Sequence, residues 1–203
     1  MTGQTPELRE WSRNEVMAAL RNILVESLGV KDEEVVASAS VVRNLGAESI
    51  DFLDVSFQIQ QTFGVNIQAA EIRDRIIAWG SLILPTLLEV LEGRYGVKLS
   101  PETLRPLEAS GIEGVLAHLR VAHGISIQSG AADDVGRELL RRLIKEFTAF
   151  GFVVSEADEQ DLLAIMRADL GTRRITERTM DLLTVGSLAN FICAKLGPRL
   201  RAD

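Results

Sequence analysis

The stretch "LGAESIDFLDVSFQIQQTFG", Leu45–Gly64, decides the fold expected for this chain and poses its main functional question. A loop becomes an apolar-periodic segment there, which predicts a helix from Ser49 to Phe63 with Gly64 as its stop. We expect the apolar side of this helix to pack on a preceding helix and to comprise Ile50, Leu53, Phe57 and Ile59. The question is why Ser49 stands between two acids at the start of the helix.

An N-cap is the simplest role for Ser49, because a hydroxyl oxygen accepts hydrogen bonds from backbone N–H groups at a helix start. A capping box would place Glu or Gln three residues later, and Phe52 stands there instead. Spacing alone therefore favours an ordinary cap over any chemical role for this serine.

Helical periodicity also dominates the rest of the chain. A first helix is predicted after Asn14, its expected N-cap, and Gly29 provides its C-terminal stop. Short apolar runs that follow glycines are interpreted as exits from helices rather than as strands. The candidate helices beyond residue 70 cover 71–79, 84–94, 101–108, 112–123, 134–150, 156–168 and 185–196. The predicted fold class is all-α.

Composition narrows the function classes. The chain has 203 residues and a net charge of −7, which disfavours a nucleic-acid partner because phosphate binding needs clustered Lys and Arg. Its single cysteine, Cys193, excludes an internal disulfide and fits a reducing compartment. The N-terminus lacks the apolar segment of a signal peptide, and the run Ile76–Leu84 is too short to span a bilayer. We therefore expect a cytoplasmic protein with no membrane span.

The segment from Leu28 to Ile67 resembles the acyl carrier proteins of fatty-acid and polyketide synthesis. That family has a Leu-Gly-Val stop after its first helix, a long loop, and a Leu-Gly-(Ala/Gly)-Asp-Ser-Leu motif that opens its second helix. The motif stands here as "LGAESID" (45–51), with Glu48 in place of Asp and Ile50 in place of Leu. The resemblance implies an acyl-carrier-like four-helix bundle.

In this family the motif serine carries 4′-phosphopantetheine, which comes from coenzyme A and holds the acyl group as a thioester. The resemblance places this attachment at Ser49 and makes Gly46, Glu48 and Ile50 its immediate surroundings. A phosphodiester would lie there at a helix N-terminus, where free N–H groups and the helix dipole favour an anion. The implied function is an acyl carrier that shuttles thioester-linked chains between enzymes of fatty-acid, specialised lipid or polyketide biosynthesis.

The resemblance also implies partner enzymes that dock on the second helix. These are a phosphopantetheinyl transferase and acyl-chain synthases, ligases or acyltransferases with basic patches, which Glu48, Asp51 and Asp54 would attract. The residues implied for the acyl pocket are Leu53, Phe57 and Ile59.

The chain is longer than this resemblance explains, by about a hundred residues, well beyond the usual length of a loop. In one arrangement, residues 1–72 hold three carrier helices, 73–175 form a helical insertion, and 176–203 contain the closing helix. The stretch "LLTVGSLANFICAKL" (182–196) supports it, because it resembles the family's last helix. Long insertions are tolerated where loops reach the surface.

A second arrangement stays open. The sequence pattern of segment 110–124 also resembles that of the family's closing helix. Residues 1–124 could therefore form the carrier domain, and 134–203 a separate helical domain. We prefer the insertion, because the Thr-Val step that opens 182–196 is closer to the family pattern.

Other functions are also considered. An aminoacyl or peptidyl carrier would use the same arm, and an all-α adaptor could retain the fold without being modified. His118 and His123 are five residues apart, which does not match the i, i+4 spacing of helical metal ligands. We see no acid–base or nucleophile arrangement, and we predict a carrier without metal or catalytic residues.

Three stretches share an aromatic–Gly–apolar pattern that is followed by a helix start with acids. They are "TFGVNIQAAEI" (62–72), "RYGVKLSPETL" (94–104) and "AFGFVVSEADE" (149–159). The pattern indicates either an internal duplication or a common way of leaving a helix.

Overall fold

The computed structural model describes residues 9–171, 173, 175, 178, 179 and 181–201. Its α-helices are α1 (Arg13–Leu28), α2 (Asp51–Phe63), α3 (Ala69–Gly80), α4 (Ile83–Tyr95), α5 (Pro101–Leu104), α6 (Gly111–His123), α7 (Ala131–Ala149), α8 (Glu156–Ala168) and α9 (Val185–Leu196). Short 3₁₀ helices cover Asp32–Glu34, Arg105–Ser110 and Gly197–Arg199. Over these described residues, β pairing is limited to the isolated bridges Trp11–Leu200 and Ser40–Thr184. The all-α prediction is confirmed.

Two compact units divide the chain. Unit 1 consists of Met1–Ile72, Gly151–Val153 and Leu183–Asp203, and unit 2 consists of Arg73–Phe150 and Val154–Leu182. The domains predicted from sequence include residues 1–8, 176, 177, 202 and 203 at their ends. These residues lie outside the part of the chain that the structure describes. The assignment of carrier and insertion to residue ranges stays a prediction at this point.

Unit 1 has a core that is shared by three helices, because α1 packs against both α2 and α9. The ring of Trp11 adds to this core and lies 4.7 Å from the ring of Phe63. Burying one aliphatic or aromatic side chain of this kind contributes about 1.5–3 kcal/mol. The buried residues of the three helices are Val16, Leu20, Ile23, Leu24, Val55, Ile59, Phe63, Val185, Leu188, Ala189, Phe191, Ile192, Cys193 and Leu196.

Helix α1 begins with a capping box at Ser12, and the prediction of Asn14 as its N-cap is wrong. Ser12 Oγ accepts from the Glu15 N–H at 3.2 Å, and the Ser12 N–H donates to Glu15 Oε2 at 2.8 Å. The box requires an acid or amide three residues after the cap, and Glu15 has that spacing only from Ser12. The same Ser12 N–H lowers the pKa of the Glu15 carboxyl below its ordinary value.

The long loop between α1 and α2 is tied to the start of α9 by backbone hydrogen bonds. These are Val41 N–H to Leu183 C=O at 2.8 Å, Val185 N–H to Ala39 C=O at 2.9 Å, and Gly186 N–H to Ala37 C=O at 2.9 Å. A Cβ on Gly186 would lie 3.0 Å from the Ala37 oxygen, so a side chain there would require the Ala37 backbone to shift. The loop is therefore a fixed part of unit 1.

The apolar face of α2 differs from the expected one. Ile59 is buried as predicted, together with Val55 and Phe63. The apolar residues exposed on the other side are Ile50, Leu53 and Phe57, at 67%, 66% and 57% exposure. The prediction that these three pack on α1 is wrong. The helix carries two apolar stripes, and the stripe with the i, i+4, i+8 spacing is the one that is buried.

Unit 2 is a second helical bundle. Within it, α4 packs against α7, and α6, α7 and α8 pack against one another. Trp79 is fully buried, its indole N–H donates to the Leu143 carbonyl at 2.7 Å, and its ring lies 4.8 Å from that of Phe147. Of the two candidate closing helices, α6 lies in unit 2 and α9 lies in unit 1.

The segment Ala69–Tyr95, which contains α3 and α4, is long and apolar enough to cross a membrane by length and composition, with a mean hydropathy of 1.5. Core helices of soluble proteins meet the same criteria, so one such segment is weak evidence for a membrane span. Several of its largest apolar side chains are buried, among them Ile76, Trp79, Leu87 and Leu91. The absence of a membrane span stays a prediction.

Gly111 provides a test of the packing in unit 2. Its φ is 62° with ψ −167°, a conformation that is nearly exclusive to glycine, and an added Cβ would lie 2.2 Å from the Arg167 carbonyl oxygen. We expect Gly111→Ala to lower the free energy of unfolding of unit 2 by about 3 kcal/mol, from backbone strain and overpacking together. Denaturant unfolding followed by Trp79 fluorescence in a Trp11→Phe background measures it.

Gly93 is the matched control, because it lies inside α4 with nothing within 4 Å of an added Cβ. Gly93→Ala should raise the unfolding free energy by about 0.5–1 kcal/mol, since alanine favours a helix interior. Equal effects of the two substitutions would contradict the close approach at Gly111.

Candidate functional site

Gly46 turns the chain three residues before Ser49. Its φ is 70°, in the left-handed region that favours glycine. The residues on either side, Leu45 and Ala47, are buried at 5% and 6% exposure. The Ala47 N–H also donates to the Val41 carbonyl at 3.0 Å. These anchors fix the loop end, while Gly46 itself and the residues after Ala47 are on the surface.

The side chain of Asp51 closes the turn that leads into α2. The Asp51 N–H donates to the Glu48 carbonyl at 3.0 Å, and the Asp51 carboxylate accepts from the Glu48 N–H at 2.7 Å. The interpretation of Ser49 as the N-cap is therefore wrong. The N-cap position of α2 is Ile50, so Ser49 lies one residue before the cap.

Ser49 consequently has an available hydroxyl. The residue is exposed, and its side chain makes no hydrogen bond to any residue that the structure describes. The backbone N–H groups of Ser49 and Ile50 also lack an acceptor within the described chain. Unpaired N–H groups in a first helical turn bind anions, so an anionic group on Ser49 would find two donors beside it.

An acidic–apolar face surrounds the serine, and we define it as Glu48, Ile50, Asp51, Leu53 and Phe57. Its three apolar members are spaced three and four residues apart, which puts them on one side of α2. Large exposed apolar side chains next to charged ones are typical of surfaces that bind other proteins. The structure thus brings most of the predicted attachment and docking residues together around Ser49.

Asp54 has a different environment from the other predicted docking acids. Its Oδ2 accepts from Ser27 Oγ at 2.6 Å and from Gln58 Nε2 at 3.0 Å. Gln58 Nε2 also donates to Ser27 Oγ at 3.0 Å. This three-residue cluster links α2 to the end of α1, and it gives Asp54 a structural role that the sequence analysis did not identify.

The other candidate residues lie away from Ser49 in the chain. The rings of His118 and His123 in unit 2 are 5.9 Å apart, and over the described residues no group of three or more His, Cys, Asp or Glu side chains could hold a metal ion. Cys193 is buried in α9, where it contributes to the core of unit 1.

Comparisons with known proteins assign the family. The profile described as "Phosphopantetheine attachment site" matches residues 18–74. The acyl carrier protein of Thermotoga maritima is 31% identical over 72 residues, which make up 36% of this chain and 88% of that protein. The chain belongs to the acyl carrier protein family. The acyl carrier protein of Karelsulcia muelleri is 30% identical over 64 residues, which make up 32% of this chain and 76% of that protein.

No solved structure matches the chain. The resemblance that the sequence motif predicted is confirmed by the two relatives, and the additional helices are consistent with a chain of 203 residues. Each relative aligns with about a third of the chain, at 36% and 32%. The matched profile ends at residue 74, so nearly all of unit 2, which begins at Arg73, lies outside it.

The prosthetic group of this family is 4′-phosphopantetheine, as predicted. The residues of the matched region fit such a group. Ser49 is exposed, and over the residues that the structure describes its hydroxyl and the N–H groups of Ser49 and Ile50 have no hydrogen-bond partner that a phosphate would displace. Nothing lies within 4 Å of a Cβ built on Gly46, so the turn before the serine leaves open space for the arm.

The Asp54 cluster can be separated from the docking acids by stability measurements. We expect Asp54→Ala to lower the unfolding free energy of unit 1 by about 1 kcal/mol, because two hydrogen bonds to its carboxylate are lost at a solvent-exposed position. Glu48→Gln should leave stability unchanged, since within the part of the chain that the structure describes Glu48 is hydrogen-bonded through its backbone alone. Denaturant unfolding followed by Trp11 fluorescence in a Trp79→Phe background reports on unit 1. Equal stability of both variants would argue against a structural role for Asp54.

Proposed function

We propose that Ser49 is the attachment residue for 4′-phosphopantetheine and that the chain carries acyl groups as thioesters on this arm. The observation that supports it best is the exposed, unengaged Ser49 hydroxyl within the family motif at the start of α2. A cap serine would use its oxygen within the helix, whereas the N-cap position here is Ile50 and has no side-chain cap hydrogen bond.

The chain needs little chemistry of its own for this function. The transferase that loads the arm activates the serine, so Ser49 needs only to be reachable. Once the phosphodiester is in place, the N–H groups of Ser49 and Ile50 stabilise its charge by about 0.3–1 kcal/mol at an exposed helix start. Gly46 allows the turn, and Asp51 holds the first turn of α2 in shape. We therefore propose a carrier and not an enzyme.

The acidic–apolar face is the proposed contact for partner enzymes. Its acids, Glu48 and Asp51, attract basic patches and speed encounter, and its apolar residues supply contact area once a partner has arrived. The proposed partners are a phosphopantetheinyl transferase and the acyl-chain synthases, ligases or acyltransferases that load and unload the arm. Asp54 borders this face, but it is engaged by Ser27.

The set of residues proposed for the acyl pocket differs from the set that the sequence predicted. Leu53 and Phe57 are exposed, so we assign them to partner contact. Ile59 is buried in the core of unit 1 and remains the predicted pocket residue of the three. An acyl chain that enters this core gains about 0.8 kcal/mol for each buried CH₂ group.

The proposed carrier module comprises residues 1–72 and 176–203, with 73–175 as a helical insertion. The packing of α1 against α9 within unit 1, and the place of α6 in unit 2, support this arrangement over the one that ends the carrier near residue 124. We propose acyl chains of fatty-acid, specialised lipid or polyketide biosynthesis as cargo, and a cytoplasmic location.

Loading of Ser49 tests the proposed function. Incubation with coenzyme A and a broad-specificity phosphopantetheinyl transferase should add one phosphopantetheine unit to the peptide that contains Ser49, because its hydroxyl is exposed. Ser49→Ala should abolish the addition to this peptide. Ser100→Ala, which removes an exposed serine that caps α5, should leave it unchanged. Peptide mass mapping measures each case, and a folded protein that stays bare at Ser49 would contradict the proposal.

Charge reversal tests the docking role. We expect Glu48→Lys to lower kcat/KM of the transferase for this protein by about tenfold, since an attraction to a basic patch becomes a repulsion. The loss should shrink as salt is raised, because salt screens exposed charges.

Glu146→Lys on α7 of unit 2 is the control for that experiment, because it changes the net charge by the same amount at an exposed position outside the acidic–apolar face. A similar loss for both variants would show that overall charge, and not the acidic–apolar face, governs the encounter.

A further inference from the structure

Unit 2 contains an open cavity of about 440 Å³ between α7 and α8, which pack against each other. Every residue that lines it belongs to one of these two helices. The volume lies within the range of about 300–1,000 Å³ that is usual for small-molecule sites. We refer to it as the α7–α8 cavity. It is separate from the attachment motif, which lies in unit 1.

The least exposed residues of the α7–α8 cavity are apolar and form its floor. They are Leu140 and Ile144 of α7 and Leu163 of α8, of which Leu140 is buried and the other two are half-buried. Gly136 helps to build this floor, because a Cβ added there would lie 2.4 Å from Leu163 Cδ1. Leu163 therefore lies against α7 where a side chain would otherwise stand. The floor offers apolar surface to a ligand.

The two helices contribute opposite charges to the cavity. Helix α7 supplies Arg137 and Arg141, and α8 supplies Glu156 and Glu159, all of them exposed. Among the described residues, no salt bridge joins these arginines to these glutamates, and neither glutamate side chain has a partner. The Arg137 guanidinium lies 4.0 Å from Asp134 Oδ1, which is longer than a hydrogen bond. Opposite charges thus border one cavity without neutralising each other.

Arg141 is held in place by Glu138, which leaves Arg137 as the arginine available to a ligand. The Arg141 guanidinium donates three hydrogen bonds to the Glu138 carboxylate, at 3.2, 3.0 and 2.8 Å. Arg142 Nε donates to the same carboxylate at 2.9 Å. The hydrogen bonds from Arg142 and Arg141 lower the pKa of the Glu138 carboxyl, so this anchor is ionised at neutral pH.

We propose that the α7–α8 cavity binds a free α-amino acid with a branched aliphatic or aromatic side chain. The carboxylate of the ligand pairs with Arg137, its ammonium group pairs with Glu156 or Glu159, and its side chain covers the apolar floor. The inference does not depend on the proposed function of Ser49, and it gives unit 2 a binding role of its own.

Charge complementarity favours this ligand over other small amphiphiles. A fatty acid would match the arginine and the floor, but it would leave the glutamates of α8 unpaired beside it. An apolar amine would match the glutamates and leave Arg137 unpaired. An apolar amino acid is complementary to all three parts of the cavity. It carries both charges on one carbon, so a ligand of this size reaches two helices that pack about 8–10 Å apart.

Calorimetric titration of the full chain with four probes tests the class of ligand. L-Leucine has all three features, 4-methylpentanoate lacks the ammonium group, L-leucinamide lacks the carboxylate, and glycine lacks the apolar side chain. We expect one L-leucine to bind per chain. Each of the other probes should bind about tenfold more weakly or worse, since each loses one set of contacts.

Two variants test the assignment of the charged groups. Arg137→Gln should weaken the binding of L-leucine about tenfold and remove the preference for L-leucine over L-leucinamide. The double variant Glu156→Gln/Glu159→Gln should instead remove the preference for L-leucine over 4-methylpentanoate. A merely structural effect would weaken the binding of all probes alike.

Matched controls make the same exchanges outside the cavity. Arg105→Gln and Glu146→Gln change exposed residues of unit 2 that do not line it, and they should leave the Kd for L-leucine unchanged. Ser49→Ala should also bind L-leucine as the unchanged chain does, so a failure of this inference is distinguishable from a failure of the proposed function. Circular dichroism and Trp79 fluorescence confirm that each variant is folded.

Three results would overturn the inference. One is a folded chain that binds none of the four probes. Another is equal affinity for L-leucine and 4-methylpentanoate, which would indicate a site for apolar anions. The third is a similar loss in the cavity variants and in their matched controls, which would show that overall charge governs binding.

Discussion

The pairing of the α1–α2 loop with the start of α9 is the constraint on which the proposed attachment site depends. Residues 146 and 149 positions apart in the sequence meet there, since Ala39 and Ala37 accept hydrogen bonds from Val185 and Gly186. Because every buried backbone group needs a partner, this pairing is what allows a loop of some twenty residues to lie against a small core. The loop in turn delivers Ser49 to the surface with a defined first turn behind it.

The same constraint explains which residues had to be small. A side chain at Gly186 would crowd the Ala37 carbonyl, and Gly46 adopts a backbone conformation that other residues rarely take. Each of these glycines helps to fix the position of Ser49 through the backbone. Ser49 lies one residue before the N-cap position of α2, and within the described residues its hydroxyl has no structural hydrogen bond.

The helices and the attachment motif could be predicted from sequence, because helical periodicity, glycine stops and a motif are local signals. The buried face of α2 could not. Two apolar stripes run along that helix, and periodicity does not say which one meets α1 and which one stays exposed for a partner. The structural role of Asp54 could not be predicted either. Its partner Ser27 lies 27 residues away, and no local sequence pattern indicates this contact. Gln58 could have been found, because it is four residues from Asp54 on the same helix.

The most direct test of the central claim is the state of Ser49 in protein purified from the cells that make it. Peptide mass mapping of such protein should find a phosphopantetheine unit on the Ser49 peptide, with or without an acyl group on its thiol. A Ser49 peptide of unmodified mass in folded native protein would contradict the account, because an exposed serine in this motif would then have another purpose.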